Sequence, residues 1–324
     1  MRELWVRVTA AGSFVALAFF GLTSSTAVAG YSQVVFFGDS LSDTGNLYLT
    51  TGIPVSPPYF NGAFSNGPLW TAILAGDLGR SATPSLLGGT NFAWAGATVI
   101  DYGRPQPEIP QQLGQYFSAV GSVADPGALY VILGGANDIN DASKNPATAA
   151  GNIVAAANAI DGMVDALYAA GARNILVGNL PDVGRTPLVT AQGAAAAAGA
   201  TALTNLFNAT LKGLLDSDAA VDANLDLDRL DLYALFNSAL ANPAAYGFDN
   251  VTAPCKPGDL GVPGPGPICA TPDSYLFWDA FHPSARAHQL IAEAALQAVP
   301  EPATLALLGI AFAGLGFSRR RKLR

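Results

Sequence analysis

Ser40 occupies a position from which a serine can act as a nucleophile. It follows the short apolar stretch 32–37, which the sequence predicts as a buried strand, and Gly38 permits a turn at the end of that strand. At a strand end the hydroxyl is exposed, and the serine's own backbone N–H faces the same space, where it can stabilise an oxyanion. Because Gly38-Asp39-Ser40 also occurs in ordinary turns, this reading needs partner residues elsewhere in the chain.

His282 and Asp279 have the spacing of a catalytic base and the acid that orients it. The chain contains two histidines, His282 and His288. One tight turn brings the Asp279 carboxylate to the His282 imidazole, and a serine that joins this pair completes a catalytic triad. His282 alone is equally compatible with a helix-entry role. His288 stands among apolar residues of a predicted helix, and we expect it to be a packed or surface histidine.

Two other predicted strand ends carry groups that can donate hydrogen bonds. Gly96 lies in the segment 91–97, where the missing Cβ lets the backbone approach a ligand closely. Asn137 follows the apolar stretch 129–133 and can aim its side-chain N–H at the same point in space. The alternatives are a glycine required by packing and an Asn-Asp turn or helix cap.

Short apolar stretches alternate with long helical ones along the body of the chain. Predicted strands cover 32–37, 129–133, 174–177 and, more weakly, 230–235 and 90–95; predicted helices cover about 69–78, 147–170, 188–215 and 284–299, and 250–272 is expected to be a long surface loop. This alternation favours a three-layer α/β/α sandwich around a mainly parallel sheet. Ligands bind at the carboxyl ends of the strands in such sheets, which is where the candidate residues lie.

In this order, these blocks resemble the GDSL esterase/lipase family, also called SGNH hydrolases. The nearest subgroup has a first block that reads GDSLSDTGN, as residues 38–46 do here, and the stretch 179–184 also resembles a family segment. The resemblance covers about residues 33–299 and implies the flavodoxin-like fold of these hydrolases. One departure is Ala95-Gly96, where many members have two glycines.

The resemblance implies a role for each of five residues. Ser40 corresponds to the nucleophile, His282 to the general base and Asp279 to the acid that orients it. The backbone N–H groups of Ser40 and Gly96, together with the side chain of Asn137, correspond to the oxyanion hole. An ordinary α/β-hydrolase is disfavoured because the sequence has no Gly-x-Ser-x-Gly.

Both ends of the chain read as processing segments. Residues 1–29 have a basic start, an apolar stretch and the small-x-small sequence Ala27-Val28-Ala29, which predicts a cleaved signal peptide; a retained anchor is the alternative. The segment 300–324 has a Pro-Glu-Pro motif, a short hydrophobic helix and an Arg-rich tail. It resembles the PEP-CTERM sorting signal, which implies an exosortase-type processing enzyme in a Gram-negative bacterium. A plain tail anchor is the alternative, and both readings export the hydrolase domain predicted at 30–299.

Composition excludes several other classes of protein. The formal net charge of −8 and the pI of about 4.6 argue against a nucleic-acid binder. The stretch 222–233 has the spacing of a calcium loop, but Leu227 and Tyr233 replace the required glycine and glutamate, which disfavours that reading. The stretch is expected to be a solvated acidic face. No metal or cofactor is expected. Cys255 and Cys269 are expected to pair outside the cytoplasm, with two free thiols as the alternative.

The sequence therefore predicts a secreted serine esterase or lipase that forms an acyl-enzyme on Ser40. Its expected partners are an ester substrate (a lipid, a short-chain ester or an acetylated polysaccharide), the exosortase-type enzyme and, transiently, a membrane. The expected location is the periplasm, outer surface or extracellular matrix. The alternatives are an exopolysaccharide O-acetyl esterase and a non-catalytic matrix or surface protein.

Overall fold

A parallel sheet forms the centre of the computed structural model, which describes residues 30–221 and 224–299. Its strands lie in the order β1 (Val34–Gly38), β2 (Leu129–Leu133), β3 (Asn174–Gly178) and β4 (Asp226–Leu230). The extended chain at Asn91 bridges to Phe36 in parallel fashion, with Thr90 and Phe92 bonded to the Phe36 backbone. A separate parallel pair is formed by β5 (Asn250–Pro254) and β6 (Tyr275–Phe277).

Nine α-helices lie within the described ranges. They are α1 (Asn46–Thr51), α2 (Trp70–Asp77), α3 (Ile109–Val120), α4 (Ala136–Ala142), α5 (Pro146–Ala170), α6 (Pro187–Thr190), α7 (Ala194–Val221), α8 (Leu232–Ala241) and α9 (Ala285–Ala298). Because side chains alternate across a strand, Val35 and Phe37 pack into one core with α3, α4, α5 and α7, whereas Val34 and Phe36 pack into a second core with α2 and α9. The predicted three-layer α/β/α sandwich is confirmed.

The central strands were predictable because both of their faces are covered. All five residues of β1 and of β2 are buried, which accounts for their uninterrupted apolar sequences. β4 is different: it lies at one end of the strand order, and its sequence Asp-Leu-Asp-Arg-Leu leaves polar side chains partly exposed.

The prediction of a strand at 230–235 is wrong. The fourth strand ends at Leu230, and Asp231 then caps α8 by accepting a hydrogen bond from the Ala234 N–H. The acidic stretch before it is accordingly strand β4 from Asp226 onward, with Asp226 exposed and Asp228 half-buried.

Three other predicted elements differ in detail. The single helix expected at 188–215 is divided into α6 and α7, because Gly193 between them has a φ of 101°. The strand expected at 90–95 is reduced to bridges at Asn91. The loop expected at 250–272 begins with β5, and a disulfide joins Cys255 to Cys269 within it.

The signal peptide predicted at 1–29 and the sorting segment predicted at 300–324 lie outside the described residues. So does Asp222, the first residue of the disfavoured calcium loop. Within the described ranges, no group of three or more His, Cys, Asp or Glu side chains is arranged to hold a metal ion.

Candidate active site

Two distant turns bring Ser40, His282 and Asp279 into one hydrogen-bonded chain. Ser40 Oγ lies 2.9 Å from His282 Nε2, and His282 Nδ1 lies 2.9 Å from both carboxylate oxygens of Asp279. Ser40 is 5% exposed, His282 3% and Asp279 not at all. The hydroxyl is thus within proton-transfer distance of a base that an acid orients.

Asp279 is held as an anion by donors on every side. Its Oδ1 accepts the backbone N–H groups of Phe281 and His282, and its Oδ2 accepts the Tyr59 hydroxyl at 2.7 Å. Burial by itself would raise the pKa of Asp279, but His282 and these backbone donors outweigh it and hold the pKa below its ordinary value. The carboxylate therefore stays ionised and can stabilise an imidazolium.

The turn that carries Ser40 is fixed by the residues around it. A Cβ at Gly38 would lie 2.5 Å from the Leu133 carbonyl oxygen, so only glycine fits at the end of β1. Gln112 accepts the Gly38 N–H and donates to the Gly38 carbonyl. The Asp39 carboxylate accepts the Leu41 N–H, and burial raises the pKa of Asp39 to about 6.

Asp43 joins this turn to the segment that contains Gly96. Its buried carboxylate accepts the N–H groups of Gly45, Asn46 and Leu47, and also that of Ala95. An alanine at position 95 is therefore accommodated with its N–H bonded and its side chain buried.

Gly96 and Asn137 are linked through the residue that follows Gly96. Gly96 has a φ of 83°, a conformation that favours glycine. Asn137 lies in the first turn of α4, where its Nδ2 donates to the Ala97 carbonyl at 2.8 Å. One amide hydrogen of Asn137 is thus used to hold the loop, and a side-chain amide has a second to donate.

Further contacts bind residues 96–104 to α4, and we call this loop and helix together the polar cradle. Asp138 accepts the N–H groups of Val99 and Ile100. Burial, with a smaller contribution from the charge of Asp39, outweighs these N–H donors and raises the pKa of Asp138 to about 7. Arg104 donates to the Gly96 carbonyl at 3.0 Å and pairs with Asp141, one turn beyond Asn137 on α4.

His288 is a core residue with a different environment from that of His282. It is fully buried in α9, and its Nδ1 accepts the Trp70 N–H at 3.3 Å. Burial, with a smaller contribution from the charge of His282, lowers the pKa of His288 to about 3. It stays neutral and lies outside the Ser40–His282–Asp279 chain.

Sequence reasoning missed Tyr59, Asp43, Asp138 and Arg104, which support this site, and also Gln112, which holds the Gly38 peptide. Asp43 lies within the block GDSLSDTGN and Asp138 beside Asn137, so the motifs themselves were a signal for both. Tyr59 reaches Asp279 across 220 residues of sequence, and Arg104 reaches Asp141 across 37. No local pattern marks either of these contacts.

The disulfide lies behind the Asp279 side of the site. Cys255 packs in a cluster with Tyr59, Phe64 and Trp278, and Trp278 directly precedes Asp279 in the chain. The disulfide therefore supports the group of side chains that packs next to Asp279.

Two family models match the chain. Residues 34–295 match the model described as GDSL-like lipase/acylhydrolase, and residues 298–322 match the PEP-CTERM protein-sorting motif. The second match indicates a protein exported by an exosortase-type system of Gram-negative bacteria.

Curated proteins give similar results. The chain is 27% identical to Lipase 1 of Photorhabdus luminescens over 86% of its own length, but it spans only 52% of that lipase. It is 28% identical to an acetylesterase of Thermothelomyces thermophilus, covering 82% of this chain and 87% of that protein. Among solved structures, an acetylxylan esterase of Geobacillus stearothermophilus, solved as a catalytic mutant, matches with a TM-score of 0.46 and 15% identity over 83% of this chain and 94% of that chain.

Proposed function

The chain belongs to the GDSL-like lipase/acylhydrolase family, and on that premise we propose that it is an exported ester hydrolase that works through an acyl-enzyme on Ser40. The observation that carries this proposal is the unbroken hydrogen-bonded chain from the Ser40 hydroxyl through His282 to Asp279. Because the chain spans about half the length of the first relatives that it matches, the activity is inferred from this geometry.

In the first step, Ser40 Oγ attacks the ester carbonyl as His282 Nε2 takes the hydroxyl proton. The carbonyl oxygen becomes an oxyanion, which the N–H groups of Ser40 and Gly96 and the second amide hydrogen of Asn137 stabilise. Asp279 stabilises the imidazolium that has formed.

Collapse of this intermediate breaks the bond to the leaving alcohol, which takes the proton from His282. The acyl group then remains as an ester on Ser40. Water attacks that ester and gives a proton to His282, the same donors hold the second oxyanion, and the carboxylic acid leaves as the proton returns to Ser40 Oγ. The protein ends as it began, so water is the only co-reactant.

We place this activity outside the cytoplasm, in the periplasm, at the outer surface or in the extracellular matrix. The support is the PEP-CTERM motif at 298–322 beside a predicted signal peptide at 1–29. An exosortase-type enzyme would process the C-terminal segment, which would associate with the membrane until then.

The proposal is tested with Ser40→Ala and a matched control, Ser42→Ala. The Ser42 hydroxyl is buried and has no hydrogen-bond partner in the described part of the chain, so its loss changes little. We expect a fluorophosphonate probe to label the parent and Ser42→Ala at Ser40, and both to hydrolyse p-nitrophenyl butyrate. Ser40→Ala should do neither, while melting at the parent's temperature.

Hydrolysis by Ser40→Ala at the parent's rate would overturn the assignment. A parent that is folded, is not labelled and hydrolyses no ester would favour the non-catalytic surface or matrix protein instead.

A further inference from the structure

An apolar cavity, which we call the acyl channel, opens beside Ser40. Asp39, Ser40 and Ala136 form part of its wall. The rest of the wall comes mainly from α8, β6 and α9 and includes Leu232, Leu235, Phe236, Phe277, Leu290 and Ile291. The cavity therefore connects the candidate nucleophile with a hydrophobic region between two helices.

The channel wall has almost no group that can recognise a sugar. Apart from Asp39, Ser40 and Thr186, every residue that lines it has a hydrocarbon side chain. A sugar ring placed there would lose the hydrogen bonds of its hydroxyl groups to water without replacement, which is unfavourable. A chain of methylene groups makes no hydrogen bonds to water, and its transfer from water into the channel is favourable in free energy.

Because Ser40 is part of the channel wall, the channel is placed to take the acyl part of an ester. Ser40 becomes bonded to the acyl carbonyl, and the acyl chain remains attached through both chemical steps. Since the channel wall includes Ser40 itself, a chain that extends from that carbonyl can enter the channel.

We propose that this channel binds the acyl chain of the substrate, so that the enzyme prefers fatty-acyl esters to acetyl esters. This inference rests on the proposed function and names the substrate class of the same site. Each methylene that enters the channel should raise kcat/KM roughly threefold to fourfold until the channel is full. An acetyl group has no methylene beyond its methyl carbon and leaves the channel unfilled.

The test uses a pair of alanines on α8. Ala239 lines the channel and is buried, whereas Ala241 lies exposed at the end of the same helix and does not line it. Ala239→Phe fills the channel, and Ala241→Phe adds the same ring outside it. kcat/KM is measured for the p-nitrophenyl esters of acetate, butyrate and octanoate, alongside fluorophosphonate labelling of Ser40.

We expect the parent to favour octanoate over acetate at least tenfold. Ala239→Phe should lower that ratio about tenfold or more while acetate hydrolysis stays within about twofold, and Ala241→Phe should behave as the parent does. If Ala239→Phe does not fold, Leu235→Trp provides the same test, because Leu235 lines the channel at a half-buried position that admits a larger ring.

The possible failures are distinguishable. A parent that is labelled at Ser40 but prefers acetate, or that releases acetate from acetylated polysaccharide faster than it cleaves octanoate, overturns the channel assignment and leaves the proposed function standing. An unchanged ratio of octanoate to acetate hydrolysis in both Ala239→Phe and Leu235→Trp also overturns the channel assignment and leaves the proposed function standing. A parent that is neither labelled nor active on any of the esters overturns the proposed function itself.

Discussion

The polar cradle and the acyl channel both adjoin the turn that carries Ser40, and they are built by opposite means. In the cradle, Asp138 accepts hydrogen bonds from the backbone of residues 96–100, and Asn137 and Arg104 donate hydrogen bonds to it, so that this stretch of backbone is fixed. In the channel, hydrocarbon side chains leave a cavity unfilled. Directional bonds suit the stabilisation of one small oxyanion, and non-directional contacts suit chains of differing length. Substitutions in the cradle should therefore slow the hydrolysis of every ester by the same factor, whereas the effect of substitutions in the channel should depend on acyl chain length.

The largest effect expected in the cradle follows from Asn137→Ala. Removing one donor from the proposed oxyanion hole should lower kcat on the order of 100-fold, and the Ala97 carbonyl also loses its donor. The loss should be the same for p-nitrophenyl acetate and octanoate, measured as kcat for each. Asn158→Ala, on the exposed face of α5, serves as the control. A loss confined to one ester would contradict the division of labour between cradle and channel.

A smaller effect is expected from Arg104→Ala, about tenfold in kcat with little change in KM. Arg104 orients the Gly96 peptide by donating to its carbonyl and does not touch the reacting atoms, and at 27% side-chain exposure water replaces part of the interaction. Lys144→Ala is the matched control, because Lys144 also pairs with Asp141 but is 68% exposed and makes no contact with Gly96. Equal losses of kcat in the two variants would mean that Arg104 acts through its ion pair with Asp141 and not through its hydrogen bond to the Gly96 carbonyl.

The cradle also shows where sequence reasoning ends. The stretches that lead to Ser40 and Asn137 were predictable because both faces of β1 and β2 are buried, which gives them an unmistakable apolar sequence. The contact of Arg104 with Gly96 depends on how a loop folds back onto α4, and nothing in the local sequence encodes it. The strand expected at 230–235 was wrong for a related reason. A short, mostly apolar stretch is compatible with a strand or a helix, and here Asp231 within it caps helix α8.

The smallest effect expected concerns the contribution that Asp138, in the cradle, makes to the pH dependence of stability. Burial raises the pKa of Asp138 to about 7, above the value near 3.9 of an unfolded aspartate. Between these values the unfolded chain has released this proton and the folded chain retains it, so raising the pH costs stability. Asp39, with a pKa raised to about 6, and Asp228 in β4, with a pKa raised to about 7, act in the same direction, whereas His288, with a pKa lowered to about 3, acts in the opposite one.

Because these groups oppose one another, the informative quantity is the difference in melting temperature between Asp138→Asn and the parent. The asparagine oxygen can still accept the N–H groups of Val99 and Ile100, so the variant keeps part of the contact. Because asparagine does not titrate, any stability that the substitution costs is the same at every pH. As the pH rises from about 4 to about 7, the variant should gain a few degrees on the parent, measured by thermal unfolding followed by circular dichroism. Ala239→Phe, which alters only the channel, should keep the parent's pH dependence whatever its melting temperature. If the channel variant changed that dependence and Asp138→Asn did not, the assignment of the titrating group to the cradle would be wrong.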